Sequence, residues 1–134
     1  MSRQNLDLVR SIYADWERGD FSSMDWAHPE VEYVVVDFVE PMRRVGRKAT
    51  AEGIRAIYGE WEEPRIEADE IRPLGDGRIL VLNHLAARAK ASGIDVSQMR
   101  RNGAAILSVR DGMVIRYLSY FDRERALADL GLKE

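Results

Sequence analysis

The segment VSQMRRNGAAILSVRDGMVIRYLSYF, residues 96–121, constrains the fold more than any other part of the chain. Alternation at period two divides it into two strands, with Asp111-Gly112 between them as a two-residue hairpin signal. On the second strand one alternate set is Met113, Ile115, Tyr117, Ser119 and Phe121. The other is Val114, Arg116, Leu118 and Tyr120. Both sets are largely apolar. An antiparallel sheet ordinarily leaves one face to water, so a sheet that is apolar on both sides needs two covers. Helices supply one, and a second copy of the same sheet is the simplest way to supply the other.

Taken in order, residues 5–18 place Leu6, Val9, Ile12, Tyr13 and Trp16 on one helical stripe, which Gly19 closes. Asp20 is read as the cap of a short second helix over 21–26, ended by His28-Pro29. The β-branched run VEYVVVD, 31–37, predicts a strand, and 37–48 reads as a loop. Thr50 is a plausible cap for a third helix with an inner stripe of Ile54, Ile57, Tyr58 and Trp61, stopped by Pro64.

From there the pattern is strand after strand. Residues 65–74, 78–89, 94–109 and the last strand are separated by Gly75-Asp76-Gly77, Ser92-Gly93 and Asp111-Gly112. Asn102-Gly103 is read as a bend or bulge inside the fourth strand, because the other turns already account for the hairpins. Asp122 caps a final helix over 123–130. The expected class is α+β: three N-terminal helices on a bent, mostly antiparallel sheet, with a short C-terminal helix, all in a single domain spanning 1–134.

Composition narrows the functions. A net charge of −3 argues against nucleic-acid binding, which needs a basic face. The absence of cysteine excludes disulfides and thiolate chemistry. No apolar run approaches the ~18 residues of a membrane span, and no signal peptide is evident, so a cytoplasmic location and no membrane partner are expected. His28 and His84 sit on different elements without carboxylates at metal-ligand spacing, so neither a metal nor a cofactor is implied.

Three motifs carry a family resemblance. WERGDFSSMDWAHPEVEYVV, GRKATAEGIRAIYGEW and SVRDGMVIRYLSYFDRERALADLGL together resemble the ordered signatures of SnoaL-like proteins in the nuclear-transport-factor-2-like (NTF2-like) superfamily. The resemblance covers nearly the whole chain and implies a cone-shaped domain with a pocket at its wide end. That superfamily includes polyketide cyclases, ketosteroid isomerases, epoxide hydrolases, dehydratases and non-catalytic adaptors, so it leaves the chemistry open.

Resemblance to the ketosteroid isomerases implies which positions face the pocket. These are Tyr117, Ser119 and Phe121; Met99, Arg101, Ala105 and Leu107; Leu80, Leu82, His84 and Ala86; and Tyr33, Val35 and Asp37. Tyr13, Trp16, Tyr58 and Trp61 contribute from helices. The isomerase base, helical tyrosine and second acid align with Tyr33, Ile12 and Ala105, so that constellation is missing. The inward acid/base candidates are then His84 and Asp37. A buried imidazole kept neutral could accept a proton or donate a hydrogen bond. As plainly, His84 is a core histidine bonded to a tyrosine, or a surface one if the register slips by one.

Two readings follow. In the first, a homodimer formed through the outer sheet face binds a small apolar or polycyclic carbonyl compound, with His84 and Asp37 as acid/base groups. Tyr13, Trp16, Tyr33, Tyr58, Trp61, Met99, Arg101, Tyr117 and Ser119 would contact the ligand. In the second, the chain is a non-catalytic dimerisation or protein-interaction module whose pocket is filled by its own side chains.

Overall fold

The computed structural model describes residues 2–37, 40–58, 61–89 and 101–132, with the side chains of 2, 58, 61–63, 86–89 and 101 not described. The elements in chain order are α1 (Ser2–Glu17), β1 (Ala27–Val35), β2 (Met42–Val45), α2 (Arg47–Tyr58), β3 (Trp61–Gly75), β4 (Arg78–Ala89), β5 (Arg101–Arg110), β6 (Met113–Tyr120) and α3 (Arg123–Asp129). The strands form one sheet in the order β2-β1-β6-β5-β4-β3. Neighbours are antiparallel except β1 and β6, which run parallel.

The apolar stripe of α1 behaves as its spacing dictates. Val9, Ile12, Tyr13 and Trp16 are all buried, and the chain leaves the helix at Gly19 with φ +79°. Only one helix precedes β1, however. The helix expected over 21–26 is replaced by irregular and turn backbone. The Asp20 carboxylate takes both the N–H and the hydroxyl of Ser22, the Ser23 hydroxyl takes the Asp25 N–H, and the Trp26 indole donates to the Ser23 carbonyl. Short polar side chains here outcompete helical hydrogen bonding.

The loop expected over 37–48 contains β2, paired to β1 from Glu32↔Val45 to Val35↔Met42. Helix α2 then begins at Arg47, and Gly46 rather than Thr50 stands at its start. Thr50 lies inside the first turn with its hydroxyl fully buried and no hydrogen-bond partner among the described residues. Trp61, expected on that helix, belongs to β3. Pro64 is accommodated because β3 is an edge strand whose pairing shifts register between Glu62 and Arg65.

The bounds of strand β4 and helix α3 follow the sequence reading closely. Asp122 caps α3 by accepting the Glu124 N–H at 3.0 Å. Asp111 and Gly112 both have positive φ, 52° and 77°, as a primed hairpin turn requires. Gly103 lies within β5 and pairs with Asn83 without a register shift between β4 and β5. A Cβ at Gly103 would come within 2.6 Å of the Tyr120 carbonyl oxygen, so the close passage of β6 is what demands glycine.

Both faces of the sheet are apolar and both are covered. The face under α1 and α2, called inner below, carries Tyr33, Val35, Tyr117, Ala105, Leu107, Ile79 and Val81 in one core with the helices. On the outer face, Leu80, Leu82, Ala104, Ile106 and Tyr120 pack with Ala126 and Leu127 of α3, supported by Leu130 and Leu132. The cover that the sequence reading assigned to a second copy is thus provided over this cluster by the chain's own C-terminal segment. Among the described residues the only large hydrophobic side chain left exposed is Val45.

Candidate functional site

The register decides which residues meet. Paired residues on neighbouring strands share a face, and Tyr33↔Tyr117, Val35↔Ser119, Leu107↔Tyr117 and Val81↔Ala105 fix the inner set. Tyr13 and Trp16 of α1 descend onto it. Trp16 sits with its ring centroid 5.1 Å from Tyr13, 5.8 Å from Tyr117 and 6.0 Å from Trp26. Tyr33 lies 5.4 Å from Tyr117 by the same measure. Offset and edge contacts at these separations are favourable beyond the area they bury.

Inside this aromatic shell runs a short polar chain. The Tyr13 and Tyr117 hydroxyl oxygens are 2.8 Å apart, and Asn83 Nδ2 donates to the Tyr13 oxygen at 3.0 Å. Tyr33 hydrogen-bonds Ser119. Burial pushes the Tyr13 phenol up to about 12, against the smaller opposing effects of its bonds to Tyr117 and Asn83. Burial likewise raises Tyr33, with Ser119 opposing. These phenols are therefore neutral at pH 7, able to donate or accept a hydrogen bond and unable to act as anionic bases.

Five of the sequence-derived contact residues, Tyr13, Trp16, Tyr33, Tyr117 and Ser119, are thus gathered on one face. Met99 lies outside the described residues, as do the side chains of Tyr58, Trp61, Arg101 and Ala86. Strand β4 is one residue out of phase with expectation. Leu80, Leu82 and His84 point to the outer face, because Leu80 pairs with Ile106 and His84 with Asn102, while Val81 and Asn83 face inward. A single-residue offset transfers every side chain of a strand to the opposite side.

His84 consequently joins a charged cluster on the outer face. Its Nδ1 is 2.9 Å from Asp69 and its Nε2 2.8 Å from Glu67. Asp69 also accepts from Arg123 at 2.8 Å, and Arg123 donates to the carbonyls of Asn83 and Gly103. Glu67 pairs directly with His84 across the strands, and Asp69 occupies the register shift between Ala68 and Glu70. The cluster fastens the start of α3 to three strands. Among the described residues no group of three or more His, Asp or Glu side chains is arranged to hold a metal ion.

Both carboxylate oxygens of Asp37 are engaged by backbone. Its two oxygens accept the backbone N–H groups of Phe121 and Asp122, at 2.9 and 2.8 Å, tying the end of β1 to the β6–α3 junction. Asn83 is the polar inner-face residue that sequence reasoning missed. Its signal was present in the alternation of RILVLNHLAA, but with both alternate sets apolar nothing in the pattern chose Asn83 over His84. A separate cleft of about 860 Å³ lies between the first turn of α1 and the β3–β4 and β5–β6 turns. None of the expected site residues lines it.

No family model matches the sequence, and no curated protein is significantly similar to it. Solved structures do match. An NTF2-like protein of unknown function from Burkholderia pseudomallei is 20% identical over 93% of this chain and 95% of its own, with a TM-score of 0.73. TerC, co-crystallised with polyporic acid, is 20% identical over 95% of this chain and 97% of its own, TM-score 0.72. An LEH-like epoxide hydrolase from M. tuberculosis is 18% identical over 96% of both chains, TM-score 0.67. The chain has the NTF2-like fold, an α+β architecture in which a mixed sheet carries helices on both faces. Among the described residues no helix is long and apolar enough to cross a membrane.

Proposed function

We propose that this chain binds a small, uncharged, largely apolar molecule bearing a carbonyl oxygen on the inner face of its sheet, with Tyr117, Tyr13 and Asn83 as the polar end of the site. The observation that carries this reading is the 2.8 Å Tyr13–Tyr117 pair, extended to Asn83 and enclosed by Trp16, Trp26 and Tyr33. An apolar surround with a few convergent polar groups is the usual make-up of a small-molecule site. The co-crystallisation of TerC with polyporic acid lends support by analogy of fold. Because the inner polar groups described are neutral phenols, a hydroxyl and an amide, we assign them binding and orientation. His84 and Asp37, bonded elsewhere, have no part in this reading.

Thermal-shift screening with polycyclic ketones, quinones and lactones tests it. Binding at the inner face raises the melting temperature of wild type and of His84→Ala alike, and much less that of Tyr117→Phe. Equal shifts for all three proteins, or none for any, would remove the site.

A second reading has its own observation. Tyr13, Trp16, Tyr33 and Tyr117 are between 1% and 4% exposed, so these side chains fill much of the inner face themselves. A non-catalytic module that pairs with another copy or another protein would have this interior. Sedimentation equilibrium with and without a bound ketone separates the two, since only the first reading makes the bound state depend on the tyrosines.

A further inference from the structure

We propose that the cleft between the first turn of α1 and the β3–β4 and β5–β6 turns is a second binding site, which takes a zwitterionic α-amino acid with a large apolar side chain. Arg78 and Arg110 hold its carboxylate, and Asp76 and Asp111 its ammonium group. The cleft is lined by none of the inner-face tyrosines, so this inference stands apart from the binding proposed above.

Its volume of about 860 Å³ falls in the range of ~300–1,000 Å³ usual for small-molecule sites. The floor is apolar. Ile79 and Val109 belong to the inner core and line the cleft from below. Ile115, left without a partner on β5 by the register shift between Ser108 and Val109, lines it too.

The rim carries both signs of charge. Arg78 pairs with Ser108 across β4 and β5, and Arg110 stands two residues beyond Ser108. The two arginines therefore leave the same side of the sheet as diagonal neighbours. Such neighbours are roughly 7–8 Å apart, a gap that two guanidinium forks can close on one carboxylate. Asp76 and Asp111 stand in the two adjoining turns, with φ of 55° and 52°.

Elsewhere on the sheet opposite charges satisfy one another. Arg72 donates to Glu70 at 2.7 Å, and Arg116 meets Glu32 at 3.0 Å. In the cleft they do not: among the described residues none of the four side chains makes a hydrogen bond or an ion pair. Two cations and two anions above an apolar floor fit a ligand that carries both signs on an oily body. A plain anion would be repelled by the aspartates and a plain cation by the arginines, so the rim selects against either.

Titration of nitrogen-15-labelled protein with L-phenylalanine tests this. The amide signals of Gly75, Gly77 and Gly112 in the cleft walls should move saturably, while those of Gly19 and Gly46 stay still. Calorimetry should then show 3-phenylpropionate, which lacks the ammonium group, and phenethylamine, which lacks the carboxylate, each binding about tenfold more weakly. The double variant R78Q/R110Q should lose about tenfold in affinity for L-phenylalanine. D76N/D111N should weaken it in the same direction, and asparagine tolerates the positive φ of both turns. No movement of the cleft glycines up to about 10 mM L-phenylalanine overturns the site. Equal affinity for the three compounds overturns the zwitterion, and unchanged affinity in both double variants overturns the assignment of the four side chains.

Discussion

The hydroxyl of Tyr13 on α1 lies 2.8 Å from the hydroxyl of Tyr117 on β6, 104 residues further along the chain. The two phenols join the first helix to the last strand through the middle of the inner core, and Asn83 makes the pair a chain of three. Replacing Tyr13 by Phe strands the Asn83 amide and removes the hydrogen bond between Tyr13 and Tyr117. That variant should lose ~1–3 kcal/mol of unfolding free energy, the cost of leaving a buried partner unsatisfied. Tyr13→Phe and Tyr117→Phe should also be non-additive in a double-mutant cycle read by urea denaturation. Strict additivity would mean that the two hydroxyls do not interact.

Alkaline stability follows from the same burial. Tyr13 and Tyr120 are each pushed up to about 12, chiefly by burial, and Tyr120 further by its bond to Asp129. A group whose folded pKa is raised contributes stability that is full below its unfolded value and lost as pH climbs through the folded one. With an ordinary phenol near ~10, stability should hold up to about pH 10 and decline toward pH 12. Absorbance at the phenolate band, followed alongside circular dichroism, should show a late-titrating fraction that ionises as structure is lost. All five tyrosines of the chain ionising near pH 10 with the dichroism unchanged would contradict this.

Thr50 offers a prediction of the opposite sign. Its hydroxyl is fully buried with no partner among the described residues, so it carries a desolvation cost without compensation. Thr50→Val keeps the shape and removes the orphaned oxygen. It should leave stability unchanged or raise it by up to ~1 kcal/mol, measured by chemical denaturation. A clear loss would reveal a partner for that hydroxyl.

Asp37 should matter for stability rather than for binding. Its carboxylate holds two backbone N–H groups at the junction of β6 and α3. Asp37→Ala should cost ~2 kcal/mol or more, in the range of charge-assisted bonds left unmade. The melting temperature should fall, and the affinity of the folded protein for 2-tetralone should stay within about twofold. A large loss of affinity at unchanged stability would return Asp37 to the site.

Much of the fold was legible because its signals were local and strong. The stripe of α1, the Asp111-Gly112 turn and the Asp122 cap each rest on chemistry within a few residues. The two apolar faces of β6 correctly demanded two covers. What the pattern could not supply was the identity of the second, which α3 and Leu130 and Leu132 largely provide over the outer cluster. The helix expected over 21–26 failed because side-chain bonds from Asp20 and Ser23 captured the backbone. Strand β4 was misphased for the reason that made it easy to find: with Leu80 and Leu82 on one side and Ile79 and Val81 on the other, alternation carries no information about which side is in. Only pairing with β5 resolves it, and that exchanged a histidine for an asparagine on the inner face.

The account stands or falls on where a ligand touches the protein. Tyr13 and Tyr117 lie on the inner face and Tyr120 on the outer, so the tyrosine rings report the side directly. A carbon–proton correlation spectrum of protein labelled at its tyrosine rings, recorded through a titration with 2-tetralone, should show the Tyr13 and Tyr117 signals moving saturably while Tyr120 stays still. Movement confined to Tyr120, or no movement of any tyrosine signal at millimolar ketone, would contradict a binding site on the inner face.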